Sequence, residues 1–314
     1  MTLASSAIER FWFGDEDPYR SAQEAAASFS AAFGRALRLR AFPGAVADAL
    51  RLLGCQSCEA REVTAALERD AAVSARLLIL ANSAVFGGRT KCASVAEALV
   101  RLGTRQTAEV VLSVAALGMF EDTTGVATLI RDHSVAVAAM ARSLASRWGK
   151  DAPDSVFTAG LFSDLGKLFA LAASDIAYDA LEARLLEEPD TVHVMERMLV
   201  GWDHAVLGAH LIAAWGLPEE LAVSVAWHHQ PGRAYDEGGS VALSVAFIRL
   251  ADALEYGLRK NPDPTPERIG ELARSGAASY LGLGAAELSA LWPRLVAIRT
   301  DALRSLCRCG RRAA

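Results

Sequence analysis

Aromatic residues are scarce, at 7% of 314, and β-branched residues seldom alternate with polar ones. Without a period of two there is little from which to build a half-buried strand. Apolar residues instead recur at helical spacing through nearly every long segment, so the chain reads as all-α. Cysteine is sparse as well: five residues give an odd count that argues against a disulfide framework and suits a reducing compartment. A chain of this length buries enough core to fold without one. The spacings Cys55-x-x-Cys58 and Cys307-x-Cys309 would form a zinc site only if the chain ends met; ordinary small apolar packing is the simpler reading.

Excess positive charge is also missing. Thirty-two basic residues against 37 acidic ones leave a net charge of −5, which speaks against a nucleic-acid binder, because phosphate neutralisation needs a basic face. The clusters Arg35, Arg38, Arg40 and Arg304, Arg308, Arg311, Arg312 read as solvated surface or tail. No uninterrupted apolar run reaches the roughly 18–20 residues of a membrane span; Val110–Phe120 and Leu243–Leu250 read as core helices. The opening MTLASSAIERFWFGDEDPYR has no basic start leading into an apolar stretch, so it is not a secretory signal, and a cytoplasmic location is the expectation.

The chain divides by composition into an N-terminal helical or flexible segment over 1–35, an N-terminal helical subdomain over 36–125, a second over 126–260, and C-terminal helices with a basic tail over 261–314. Val63–Leu80 reads as one amphipathic helix stopping at Asn82-Ser83. Ser94-Val95-Ala96-Glu97 reads as a capping box, Gly103 as a left-handed stop and Thr104 as the next cap, for a helix running through Phe120. EDTTG and KDAPD read as connectors. A helix over Leu129–Trp148 carries His133, another carries Asp164, and Trp202-Asp203 opens one holding His204 and His210. The helix begun at Pro218-Glu219-Glu220 ends in Trp227-His228-His229-Gln230-Pro231. A Gly-rich loop then leads to Ser244–Leu258 with Asp252. Beyond the prolines at 262, 264 and 266, which stop that helix, two further helices are expected to pack on the second subdomain, with a mobile tail after about Leu306.

Within these apolar helices stand His133, Asp164, His204, His228, His229 and Asp252. Imidazoles and carboxylates are the ligand set of divalent ions, and an Asp bridging two metals serves phosphate-ester hydrolysis. Taken singly, a buried His is more often a hydrogen-bonded core residue, and a His-His pair can complement a helix C-terminus.

The order H…SD…H…HH…D resembles the HD superfamily of metal-dependent phosphohydrolases. The segments ERDAAVSARLLILANSA, SVAEALVRLG, AGLFSDLGKL, HAVLGAHLIAAWGLPEEL and AWHHQP are most similar to the HDOD domain, the HD-related output domain of bacterial signalling proteins. The resemblance spans about 36–260 and implies an HD-like helical bundle with an N-terminal helical subdomain. It also implies a metal set of His133, Asp164, His204, His228, His229 and Asp252, with Ser163 where the family's His-Asp doublet has histidine. A hydroxyl is a poor substitute for imidazole as a transition-metal ligand, so one site keeps at most His133, Asp164 and Asp252, while Asp164, His204, His228 and His229 can form another. The Gly-Tyr-Pro element of related cyclic-dinucleotide phosphodiesterases is absent from QPGRAYDEGG.

Two readings follow from the resemblance. One is a regulatory signalling module without chemistry, binding a partner protein or a small ligand, with homo-oligomers as a further expectation. The other is a metal-dependent phosphohydrolase acting on a nucleotide or cyclic nucleotide with iron, manganese or zinc. Without metal, Asp164 needs a neighbour to stabilise its charge: Lys167, three residues along the same face, or histidines from adjacent helices.

Overall fold

The computed structural model describes residues 22–39, 44–53, 59–83, 85–86, 90–120, 125–146, 155–173 and 191–304, and among these there are helices and turns but no strand. Cys55, Cys58, Cys307, Cys309, both connectors apart from Gly125, the first 21 residues and the tail after Leu306 lie outside the described residues.

The first half comprises α1 (Ala22–Leu39), α2 (Gly44–Leu53), α3 (Ala60–Glu68), α4 (Ala71–Asn82) and α5 (Val95–Gly118). The single helix expected over Val63–Leu80 is two, because the Asp70 side chain accepts hydrogen bonds from the amides of Ala72 and Val73 and starts a new helix there. Asn82 closes the loop after α4: its side chain accepts from the Cys92 amide at 2.7 Å and donates to the Cys92 carbonyl at 2.9 Å. Arg101 donates to the Ala81 carbonyl and to Asn82 Oδ1. The two most distinctive segments of the first half, ANSA and SVAEALVRLG, are thus partners in one turn.

Ser94 caps α5 by accepting from the Glu97 amide, while the Glu97 carboxylate reaches the Ala93 amide, one residue further out than the capping box requires. Gly103, at φ 73°, breaks α5 as expected of a left-handed stop.

The second half comprises α6 (Val126–Ala145), α7 (Val156–Phe162), α8 (Leu165–Ala173), α9 (Val192–Val200), α10 (His204–Ala214), α11 (Glu219–Trp227), α12 (Pro231–Glu237) and α13 (Gly239–Lys260). Asp164 does not lie mid-helix: Ser163 and Asp164 form the turn between α7 and α8. Val156–Ala173 is the one window among the described residues apolar enough to cross a membrane, and it is 89% buried inside the fold and interrupted by that turn. The expected Gly-rich loop before α13 is instead the short α12, and α13 starts five residues ahead of Ser244.

Three helices rather than two follow: α14 (Pro266–Ala273), α15 (Gly276–Tyr280) and α16 (Ala285–Ala302). As expected they pack on the second half, where α16 lies along α6 and Arg299 donates to Glu255 on α13. Of the segment over 1–35, read as helical or flexible, residues 22–35 belong to α1, which is docked on the second half. Here α1 packs on α8 and α10, Phe29 meets Trp202 edge-on, and the Trp202 indole N–H donates to Ser28. One apolar cluster runs from Phe29 to Ala302 through both halves.

Candidate metal centre

The centre forms where four helix ends and two helix faces meet. The α7–α8 turn supplies Asp164, the first residue of α10 is His204, the end of α11 supplies His228 and His229, and the faces of α6 and α13 supply His133 and Asp252. The α8 and α10 backbones approach closely because Gly166 lies against the main chain of His204. That approach carries His204 to Asp164.

Asp164 is the hub. Its Oδ1 lies 2.8 Å from Lys167 Nζ and 3.3 Å from His204 Nε2, and its Oδ2 lies 3.5 Å from His133 Nε2. His204 Nε2 is in turn 3.0 Å from His229 Nε2. Asp252 meets His133 Nε2 at 2.9 Å. All six residues expected from the sequence therefore fall in one neighbourhood, together with Lys167, whose pairing with Asp164 the sequence suggested. His210 does not; it packs between Phe29 and Phe33 on the α1 side.

Two buried glutamates went unrecognised in the sequence. Glu255 Oε2 takes the Nδ1–H of His133 at 2.6 Å, and Glu196 Oε2 takes the Nδ1–H of His204 at 2.6 Å along with the His204 main-chain amide. Each carboxylate fixes an imidazole so that Nε2 points at Asp164, the arrangement by which outer carboxylates orient ligand histidines. Glu255 had a readable signal, since it lies three residues beyond Asp252 on the same helical face. Glu196 had none: it stands eight residues before His204 in a helix with no other mark of function.

Electrostatics divide the histidines into two kinds. Burial alone would lower His133 and His204, but Glu255 and Asp252 raise the former to about 10, and Glu196 and Asp164 raise the latter to about 9, so both are cationic at neutral pH. Burial and the charge on His204 hold His228 down to about 3, and burial with neighbouring histidines pushes His229 well below its ordinary value. His228 donates Nδ1–H to the Val225 carbonyl at 2.6 Å, which leaves Nε2 as a lone pair. Asp164, which burial would raise, is held well below the carboxylate range by Lys167 and then by His204 and His133.

A consequence for stability follows. Histidines raised above their unfolded value of about 6.5 contribute fully below that pH and lose the contribution as pH climbs through 9 to 10. Stability should fall by up to about 1.4 kcal/mol per pH unit per histidine above pH 6.5. Urea midpoints at pH 7.0 and 9.5 measure this, and a flat profile would show that the two imidazoles are neutral in the fold.

The donor set fits a metal on one side of Asp164. His228 and His229 each offer a ring nitrogen and His204 offers its Nε2 once an ion displaces the proton there, all within 4.8 Å of one another. The separations of 3.0 Å and 3.3 Å around His204 Nε2 match the roughly 3.0–3.4 Å between two donors that each lie about 2.1 Å from one ion. On the other side the fit fails at Ser163, whose hydroxyl donates to the Gly160 carbonyl at 2.9 Å and is thereby committed to its own helix.

A helical bundle that gathers a buried Asp, an Asp-supported histidine and a His-His pair around one hub matches the arrangement expected of an HD-type site. The HDOD domain family matches residues 39–231, and the chain belongs to that family. A curated relative from Treponema pallidum (strain Nichols), described as an uncharacterized protein, is 26% identical over 210 residues, covering 66% of this chain and 41% of its own length; the chain thus spans well under half of that relative. Among solved structures, a provisionally assigned phosphohydrolase from Shewanella amazonensis SB2B aligns with a TM-score of 0.68 at 22% identity, over 88% of this chain and 98% of its own. An HDOD domain protein with unknown function from Geobacter sulfurreducens aligns at 0.67 and 22%, over 89% and 98%. At these identities the likeness establishes the fold.

Proposed function

We propose that the chain is a regulatory signalling module of the HDOD type, whose HD-derived pocket holds at most one divalent ion and performs no hydrolysis. It acts through a partner protein or small ligand. The observation that carries this reading is Ser163: the position that would complete a second metal site is a hydroxyl that donates to the Gly160 carbonyl. Two-metal hydrolysis needs ions about 3.5–4 Å apart to activate water and stabilise the leaving oxygen together. His133 has both ring nitrogens engaged, by Glu255 and Asp252, and with Ser163 beside Asp164 it has no second imidazole with which to share an ion.

Where an ion binds, His204, His228, His229 and Asp164 would hold it, and iron, manganese or zinc all accept such donors. The ion would supply Lewis acidity; Glu196 and the Val225 carbonyl would hold two of its imidazoles in orientation. A second reading, a metal-dependent phosphohydrolase, draws on the convergence of those donors and on the provisional phosphohydrolase assignment of the Shewanella protein.

Metal content by mass spectrometry, on protein purified without a metal-affinity step, separates the two when paired with a phosphodiester screen and a Ser163→His variant. The expected result is no more than one ion per wild-type chain, no turnover, and additional metal in the folded variant. Two ions per wild-type chain, or wild-type hydrolysis lost in Asp164→Asn, would sink the non-catalytic reading.

A further inference from the structure

Three imidazoles of the centre are oriented through their second nitrogen: His133 by Glu255, His204 by Glu196 and His228 by the Val225 carbonyl. His229 is the exception. Its Nδ1 is buried and has no hydrogen-bond partner, so no polar contact there sets the rotation of its ring. Yet the ring stands nearly perpendicular to His204, at 89° with centroids 4.9 Å apart, and this pose aims its Nε2 at His204 Nε2.

What lies flat against it is His193, with ring centroids 4.1 Å apart and planes only 12° from parallel. We infer that His193 is a positioning residue of the metal centre, clamping the His229 ring by its face where the other imidazoles are held by hydrogen bonds. Its own Nδ1 is likewise buried without a hydrogen-bond partner, so the contact offers a surface and not a polar anchor.

His193 and Glu196 are three residues apart on α9 and so share one face of that helix. A single nine-residue helix therefore sets two of the three converging imidazoles, His229 through stacking and His204 through a carboxylate. Displacing α9 would loosen both together. None of the sequence patterns that mark the centre includes His193.

This inference rests on the metal reading given above, and its test keeps the two apart. Zinc affinity is measured by competition with a chromophoric chelator for the wild type, His193→Ala and His193→Phe, alongside imidazole 1H–15N correlation spectra of the metal-free proteins. Removing an outer residue that orients a ligand typically weakens metal affinity about 10–100-fold, and this is the loss expected for His193→Ala. His193→Phe keeps a flat face and is expected to bind zinc close to wild type. In the metal-free spectra the His229 resonances should stay sharp and unshifted in tautomer in the Phe variant and broaden in the Ala variant.

Wild-type affinity in His193→Ala overturns the clamp. So does a loss in His193→Phe as large as in the Ala variant, since that would make a His193 nitrogen the working atom. If the wild type binds no zinc, the metal reading falls, and the spectra alone decide: broadening confined to the Ala variant upholds the clamp and its absence refutes it.

Discussion

Gly166→Ala is expected to be the most damaging glycine-to-alanine substitution among the described residues, giving insoluble or unfolded protein. A Cβ at Gly166 would overlap the His204 carbonyl oxygen and lie 2.8 Å from the His204 carbonyl carbon and 2.9 Å from the Gly208 amide nitrogen. All three are main-chain atoms and cannot rotate aside, so α8 and α10 would have to separate. Overpacking that side chains can absorb usually costs about 1–3 kcal/mol; here the relief must come from the backbone, and the cost should exceed that range. The damage reaches the site as well, because α10 begins at His204 and any shift withdraws it from Asp164. Gly208→Ala is the matched control on the facing helix. Its nearest contacts would be 3.4 Å, ordinary van der Waals distance, and alanine's advantage over glycine within a helix, about 1 kcal/mol, offsets much of any strain. Soluble yield and urea unfolding of the two variants decide the matter. Equal stability would show that the α8–α10 approach is looser than described.

That glycine illustrates what the sequence does and does not make legible. The segment AGLFSDLGKL identifies the family, yet nothing in it says why glycine stands between Asp164 and Lys167; the reason is the His204 main chain, 38 residues away. The helices were readable because alanine-rich apolar periodicity is a local signal, and so were Gly103 and the helix ends at Pro218 and Trp227. The split at Asp70 was missed because periodicity continues across it; a side chain that caps two amides overrides the pattern. The six titratable residues were legible by their order along the chain. The centre's outer partners were not, since Glu196 and His193 sit in an amphipathic helix like any other, and their role exists only through contacts with α10 and α11. The Ser163 substitution could be noticed in sequence, but the commitment of its hydroxyl to Gly160 required the fold.

Asp164→Asn should cost about 3–5 kcal/mol, the usual penalty for removing one partner of a buried ion pair. Lys167 is only 3% exposed and its ammonium lies 2.8 Å from the carboxylate. With the charge on Asp164 gone, that ammonium remains in the core, and cationic His133 and His204 lose a shared counter-ion at the same time. Adding Lys167→Met removes the stranded charge while keeping an unbranched chain of similar length. The double variant should therefore be more stable than Asp164→Asn alone, even though it departs further from the wild type. The pH dependence gives a second check with a fixed sign. Because the folded Asp164 carboxyl is held well below its ordinary value, its contribution is present above the unfolded pKa, near 3.9, and drains away as pH falls through the lower folded value. The gap between wild type and Asp164→Asn should be widest near neutrality and narrow in acid. Urea unfolding of the three proteins at pH 7 and below pH 4 measures both effects. If Lys167→Met brings no recovery, the ammonium is not the source of the cost, and Asp164 acts chiefly through His133 and His204. If recovery is large and the double variant still binds no metal, the hub's structural and ligand roles separate, with Lys167 serving the fold and Asp164 serving both.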